Sequence, residues 1–184
     1  MKIRSKEELI AFLKQGNKVK YVCFWGHRKS RSGISKSCFS QWYNSSFEID
    51  GITYPTAEHY MMAEKARLFG DKEMRQAIIA SSHPGEAKKL GRKVRGFDEQ
   101  IWRAHRFEIV IKGNMAKFAQ NPALSTYLLN TGQSILVETS PFDRIWGVGL
   151  ASDHANAQKP HLWRGLNLLG FALMEVRERL RAGE

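Results

Sequence analysis

The chain has 184 residues, of which 42% are hydrophobic and 26% are charged, and this composition excludes a disordered or fibrous protein. Its formal net charge of +11 indicates an anionic partner: a phosphorylated small molecule, nucleic acid or a membrane surface. No apolar run approaches the roughly 20 residues that span a bilayer, and the N-terminus is too charged for a signal peptide. Cys23 and Cys38 are too few for a disulfide scaffold, so we expect a cytoplasmic protein with free thiols and no membrane partner.

The positive charge is concentrated in two stretches of the sequence. Between Leu9 and Phe47 there is no Asp or Glu, and seven basic residues lie there: Lys14, Lys18, Lys20, Arg28, Lys29, Arg31 and Lys36. The second cluster contains Lys88, Lys89, Arg92, Lys93, Arg95, Arg103 and Arg106. Both clusters fit a ligand rich in phosphate, and both also fit a solvated surface that keeps the protein soluble.

The first third of the chain predicts a helix, a strand, a loop and a hairpin. Ser5 and Glu8 have the spacing of a capping box and begin a helix over residues 5–15. Residues 19–25 are rich in Val, Tyr and Phe, as in a buried strand, and residues 27–36 form a basic loop. Asp50 and Gly51 predict a hairpin over residues 47–54, because this pair accepts the positive φ angles of a type I′ turn.

The remaining sequence is mainly helical. A helix over residues 57–69 ends at Gly70, and further helices begin at Asp71, Pro84, Asp98 and Asn121. Residues 134–138 read as a short strand, and residues 167–181 form an amphipathic helix that closes the chain. The predicted fold is α+β, a single helix-rich domain with a small β-sheet.

Glu58 and Lys65 are the first candidates for chemistry. In a helix over residues 57–69 they share one stripe with Met62, since seven residues make nearly two turns. A carboxylate in the first turn is favoured by the helix dipole, and a fixed carboxylate suits an oxocarbenium-like sugar. A lysine buried under Met61, Met62 and aromatic rings would have a lowered pKa and could act as a nucleophile. On spacing alone, an exposed lysine and a glutamate that serves only the helix are the favoured explanation.

A second constellation follows the last predicted strand. Asp143, Trp146, Gly147 and Gly149 supply a hydrogen-bond acceptor, a stacking surface and backbone that a ligand can approach closely. A turn around a core tryptophan gives the same pattern. Asn167 lies just before the closing helix, where it is either an ordinary N-cap or a ligand contact.

Aromatic residues flank the basic loop, so stacking surfaces lie close to phosphate-binding charge. They are Phe24, Trp25, Phe39, Trp42 and Tyr43, and core packing is the commoner explanation for any one of them. Cys23, His27 and Cys38 have no usual zinc spacing, and three ligands are too few for a structural site, so no metal is expected.

Several motifs in fixed order are similar to those of the NADAR family, also called YbiA-like proteins. They are Asp50-Gly51-x-x-Tyr54, Ala57-Glu58-His59-Tyr60-Met61-Met62-Ala63-x-Lys65-Ala66, Leu90-Gly91-Arg92, Trp102, Gly113-Asn114-x-x-Lys117-Phe118, Leu129-x-Thr131-Gly132, Val137-Glu138, Asp143-x-x-Trp146-Gly147-x-Gly149 and Trp163-x-Gly165-x-Asn167-x-Leu169-Gly170. The resemblance runs from about Val22 to Leu180. It implies one NADAR-like domain over residues 1–184, with residues 1–18 as an N-terminal helical extension.

The resemblance implies an N-glycosidase without a metal or redox cofactor. In the family mechanism a lysine forms a Schiff base with the sugar and a glutamate assists, and these roles carry over to Lys65 and Glu58. The substrate-binding residues expected from the resemblance and the aromatic pattern are Phe24, Trp25, Ser40, Trp42, Arg92, Asp143, Trp146, Gly147, Gly149 and Asn167.

Two substrate classes are associated with the family: ADP-ribose attached to guanine in nucleic acid, and phosphorylated ribosylamino-pyrimidine intermediates of riboflavin synthesis. The net charge favours nucleic acid, since a riboflavin intermediate presents a single phosphate. A module that binds ADP-ribose without turnover is a third interpretation. The family usually has Phe-Ser-Asn-Phe where this chain has Phe39-Ser40-Gln41-Trp42, which leaves base specificity open. A monomer is assumed; the sequence identifies no toxin partner.

Overall fold

The structure, a computed structural model, describes residues 3–183 and shows seven α-helices and four short β-strands in that range. The helices are α1 Lys6–Lys14, α2 Ala57–Leu68, α3 Lys72–Ala80, α4 Pro84–Gly91, α5 Glu99–Ala119, α6 Pro122–Leu129 and α7 Leu168–Ala182. The strands are β1 Tyr21–Phe24, β2 Phe47–Ile49, β3 Ile52–Tyr54 and β4 Ile135–Glu138. The predicted helix-rich α+β class is confirmed.

The chain divides into two compact units, which are described separately. The central unit comprises residues 41–122 and contains the β2–β3 hairpin and helices α2 to α5. The terminal unit comprises the described residues 3–40 and 123–183 and contains α1, β1, β4 and α7. In the described part of the chain, no helix is long and apolar enough to cross a membrane.

The hairpin of the central unit forms where the sequence predicts it. Asp50 and Gly51 have φ angles of 53° and 74°, so both central residues of the turn lie in the left-handed region. The strands are antiparallel, and Phe47 lies opposite Tyr54. These two rings stack at 6.0 Å between centroids, and Tyr60 of α2 meets Tyr54 edge to face at 5.2 Å. This aromatic cluster attaches the hairpin to α2.

Helix α2 is the core of the central unit. Thr56 caps its N-terminus by accepting a hydrogen bond from the His59 amide, and nine of its 12 residues are buried. Helices α3, α4 and α5 pack around it. A side chain at Gly91 would overlap Met62, and one at Gly113 would overlap Tyr60. These two glycines therefore let α4 and α5 approach α2 closely.

The terminal unit is built on a parallel pair of strands. β1 pairs with β4 from Tyr21 opposite Ile135 to Phe24 opposite Glu138, and α7 packs on β4. The sequence predicts β1 as a buried strand, but only Phe24 is buried. In a two-stranded sheet β1 has a single strand neighbour, which leaves most of its residues partly exposed.

Candidate functional site

Glu58 is held at the N-terminus of α2 in the central unit. It is the second residue of the helix and only 3% of it is exposed. Its backbone amide donates a 2.9 Å hydrogen bond to the carbonyl oxygen of Gln41. The predicted position in the first helical turn is confirmed. There the helix dipole favours the ionised carboxylate.

The side chain of His59 also holds the first turn of α2 in place. Its Nε2 lies 3.1 Å from the carbonyl oxygen of Ser81, which can only accept, so this nitrogen carries the proton. Nδ1 then accepts from the hydroxyl of Thr56 at 2.8 Å. Burial lowers the pKa of His59, in agreement with a neutral ring. The imidazole therefore ties the start of α2 to the end of α3.

Lys65 lies further along α2 in a half-buried position. Its Nζ donates a 2.8 Å hydrogen bond to the carbonyl oxygen of Gly91. Nζ also lies 4.1 Å from the centre of the Phe97 ring and 5.8 Å from that of Trp102. The sequence interpretation expected an aromatic cover but did not identify Phe97, which reaches Lys65 from a loop far along the chain.

The pKa of Lys65 is lowered, in the direction expected from the sequence. Burial is the largest cause, and the positive charge of Arg92 lowers the pKa further, while the charge of Glu99 opposes the shift. A lysine with a lowered pKa loses its proton, and so frees its lone pair for attack, at a lower pH than an ordinary lysine does. Lys65 is therefore suited to act as an amine nucleophile.

Trp42 and Arg92 are the other two predicted site residues of the central unit. Trp42 directly follows Gln41 and is partly exposed. Its ring meets His83 edge to face at 6.0 Å, and Nζ of Lys88 lies 5.9 Å from its centre. Arg92 is exposed and near enough to Lys65 to lower its pKa. The structure thus groups Arg92 with Lys65, and Trp42 with the segment that binds the Glu58 amide.

The Asp143 segment in the terminal unit forms a tightly bonded turn. One oxygen of Asp143 accepts hydrogen bonds from the amides of Ile145 and Trp146, both at 2.8 Å. A side chain at Gly147 would come within 2.9 Å of the Glu138 carbonyl oxygen. Gly149 has a φ angle of 68°. These contacts give the motif an architectural role, and its contact with substrate stays a prediction.

Asn167 is fully buried and connects α7 to β4. Its Oδ1 accepts from the amide of Glu138 and its Nδ2 donates to the carbonyl oxygen of Leu136, each at 2.9 Å. It precedes α7 with a φ angle of 56°, and its side chain makes no capping bond to the helix. The interpretation as an ordinary N-cap was therefore wrong, because the amide pairs with strand backbone instead.

The predicted aromatic residues of the terminal unit have different roles. Phe24 is buried and packs edge to face on Phe39 at 5.4 Å, as a core residue does. Trp25 is 59% exposed and lies 6.5 Å from the ring of Phe142, which is 86% exposed. Ser40 ends the short 3₁₀ turn Lys36–Phe39. The sequence interpretation missed Phe142, although an apolar ring between Pro141 and Asp143 is unusual for a turn.

The basic residues of the first cluster are all exposed, and two of them line a cleft in the terminal unit. The cleft has a volume of about 450 Å³ and contains Lys18, Lys20, Asn130 and Gln133. The described residues that line it include no acidic side chain. Its lining therefore offers cations and hydrogen-bond donors, which suit phosphate oxygens. Across residues 3–183, no group of three His, Cys, Asp or Glu side chains is arranged to hold a metal ion.

The fold and these motifs define the class of the protein. Residues 23–181 match the NADAR domain, which covers most of the chain. The chain therefore belongs to the NADAR domain family, as the motifs predict.

Three relatives show what the chain is similar to. It is 45% identical over 164 residues to N-glycosidase R617 of Acanthamoeba polyphaga mimivirus, which covers 86% of this chain and 95% of that protein. It is similar to the NMR structure of the E. coli protein YbiA, with a TM-score of 0.69, 28% identity and coverage of 91% and 88% of the two chains. It is 33% identical over 138 residues to the chloroplastic riboflavin biosynthesis protein PYRR of Zea mays, covering 71% of this chain and 20% of that protein. These findings confirm the predicted family and enzyme class, a hydrolase acting on N-glycosyl compounds.

Proposed function

We propose that this protein is an N-glycosidase that removes ADP-ribose from guanine bases of nucleic acid, with Glu58 and Lys65 as its catalytic residues. The observation that carries the proposal is the presence on one helix, α2, of a buried carboxylate and, seven residues later, a half-buried lysine whose pKa is lowered. The mimivirus relative is itself named an N-glycosidase.

The proposed reaction has two steps, attack by the lysine and hydrolysis of the imine. The neutral amine of Lys65 attacks C1 of the sugar, the bond from C1 to the base nitrogen breaks, and the departing base takes a proton from water and leaves hydroxide, which takes up the proton released in the second step. The ring oxygen takes a proton from the amine as the sugar opens, which leaves a protonated imine between C1 and Nζ. Water then adds to C1 and expels the lysine amine, and the sugar is released.

We propose that Glu58 acts as a carboxylate in both steps. Positive charge develops on the sugar as the base departs, and a carboxylate fixed beside it stabilises that charge. The Gln41 carbonyl and the Thr56 cap hold the backbone around Glu58, so little reorganisation is needed during the reaction.

Three features of the terminal unit support a nucleic-acid substrate. The first cluster presents seven exposed cations, and residues 9–40 of this unit contain no Asp or Glu. The cleft with Lys18 and Lys20 suits a phosphate backbone. The exposed rings of Trp25 and Phe142 offer faces for base stacking.

A second candidate function is hydrolysis of phosphorylated ribosylamino-pyrimidines, which the similarity to a plant riboflavin biosynthesis protein favours. It predicts ribose 5-phosphate as the released sugar. The third interpretation, a module that binds ADP-ribose, predicts binding without release of any sugar.

One incubation separates these functions. Purified protein is given an ADP-ribosylated guanine oligonucleotide and, separately, the ribosylamino-pyrimidine phosphate, and the released sugar is identified by mass spectrometry. The proposal predicts free ADP-ribose, at a rate that falls steeply as salt rises. Exclusive release of ribose 5-phosphate contradicts it, and so does a rate on the oligonucleotide that is independent of salt.

A further inference from the structure

Gln41 is a buried side chain whose orientation is fixed by a neighbouring helix. Only 6% of it is exposed. Its Oε1 accepts a 2.8 Å hydrogen bond from Nδ2 of Asn114 in α5. The same Nδ2 also donates to the backbone carbonyl of Val110 at 2.9 Å. All three residues belong to the central unit.

The Val110 contact determines which end of each amide is which. A backbone carbonyl oxygen can only accept, so the Asn114 atom that faces it must be the nitrogen. That nitrogen faces Gln41 as well, so the Gln41 atom beside it must be the oxygen. The amino group of Gln41 therefore points away from Asn114.

The amino group of Gln41 has no hydrogen-bond partner among residues 3–183. Buried polar atoms are nearly always paired in native proteins, because the loss of water without a replacement bond is costly. Such a group requires an explanation, and one explanation is a functional site at which a ligand completes the bonding; Oδ1 of Asn114 beside it is unpaired among the described residues as well.

The position of Gln41 indicates which ligand this is. Its backbone carbonyl accepts the hydrogen bond of the Glu58 amide at 2.9 Å, and the partly exposed ring of Trp42 follows it in the chain. A donor on the segment whose backbone binds the start of α2, next in sequence to a partly exposed aromatic ring, suits the acceptor edge of a stacked base. Guanine presents two acceptors on this edge, O6 and N7.

We propose that Nε2 of Gln41 donates a hydrogen bond to O6 or N7 of the departing guanine and so sets the base specificity of the enzyme. This inference rests on the proposed function. It makes Gln41 a residue that contacts substrate, and it gives a physical reason why the chain tolerates an unpaired donor in its interior.

The test replaces Gln41 with methionine, which has a similar size and no donor. Asn114 keeps its bond to Val110, so we expect an unchanged or higher Tm together with a fall in kcat/KM of about 10- to 100-fold. The matched control is Gln120→Met, because both ends of the Gln120 amide bind the backbone of Glu48 at 2.8 Å. The control should lower Tm and leave kcat/KM unchanged.

A second measurement identifies the acceptor. The loss caused by Gln41→Met is measured on guanine, on 2-aminopurine, which lacks O6, and on 7-deazaguanine, which lacks N7. The analogue that lacks the true acceptor has already lost this hydrogen bond. On that analogue Gln41→Met should therefore lower kcat/KM less than it does on guanine. An equal loss on all three bases overturns the inference, as does a lower Tm with normal kcat/KM. Absence of turnover by the wild type instead contradicts the proposed substrate.

Discussion

Two buried side-chain amides behave differently in the two units of the molecule. Asn167, before α7, uses both ends of its amide to bind the backbone of β4. Gln41, whose carbonyl binds the start of α2, has its amino group unpaired. A fully paired buried amide stabilises architecture, whereas an incompletely paired one costs stability and persists where function requires it. This difference supports the proposal that the chemistry takes place near α2, and the bonds of Asn167 indicate a structural role for its region.

The largest expected effect is that of Glu58→Gln. The variant keeps the shape of the side chain and removes its negative charge, so positive charge on the sugar is no longer stabilised. We expect kcat/KM to fall by on the order of 10³-fold with little change in Tm. Steady-state kinetics and a melting curve check this. Near-normal turnover would show that the essential carboxylate lies elsewhere. The proposed link between the chemistry and α2 would then fail.

Substitution of Lys65 separates its bonding from its chemistry. Lys65→Arg keeps a cation that can donate to Gly91 and lie over Phe97, but a guanidinium does not form an imine. We expect Lys65→Arg and Lys65→Met both to lower kcat by about 10² to 10³-fold. Lys65→Met removes both the bond to Gly91 and the buried charge, and these two changes act on Tm in opposite directions. If Lys65→Arg kept wild-type turnover, Lys65 would hold the substrate in position and would not react with it.

Asn167→Ala tests the structural side of the comparison. It removes two hydrogen bonds and leaves the Glu138 amide and the Leu136 carbonyl without their partner. The expected loss in the free energy of unfolding is about 2–3 kcal/mol. For a chain of this length that lowers Tm by about 5–10 °C, measured by calorimetry. An unchanged Tm would show that Asn167 does not stabilise the fold through these bonds.

The smallest expected effect is on the pH profile. Because the pKa of Lys65 is lowered, the fraction of neutral amine, and with it kcat/KM, should rise at a lower pH than for an ordinary lysine. Below that pKa the buried ammonium costs stability, and the cost is relieved as pH rises toward the unfolded pKa. Glu99 raises this pKa, so Glu99→Gln should shift the rising limb to lower pH. Glu73→Gln, at a residue paired with Arg95, is the control and should leave the limb in place.

The elements of the fold were largely predictable because their signals are local. Asp50 and Gly51 specified the hairpin turn, and Gly70 marked the end of α2. The environment of the candidate site was not predictable in the same way. Phe97 covers Lys65 and Asn114 orients Gln41 across 32 and 73 positions in sequence, and no short pattern encodes such contacts.

Asn167 shows why position in sequence does not fix a side chain's role. A polar residue just before a helix fits an N-cap, but Asn167 has a φ angle of 56° where a capping residue is extended, and its amide binds β4 instead. Lys65 and Glu58 were found because helical periodicity is local, and their roles were suggested by the family resemblance. Their catalytic assignment stays a prediction until it is tested.

The most direct test is to trap the imine on Lys65. Wild-type protein is mixed with ADP-ribosylated guanine oligonucleotide and sodium borohydride, which reduces the imine to a stable secondary amine, and the modified peptide is mapped by mass spectrometry. We predict an ADP-ribose adduct on Lys65 that is absent from Lys65→Arg. Turnover without an adduct, or an adduct on a different lysine such as the buried Lys117, would contradict the assignment.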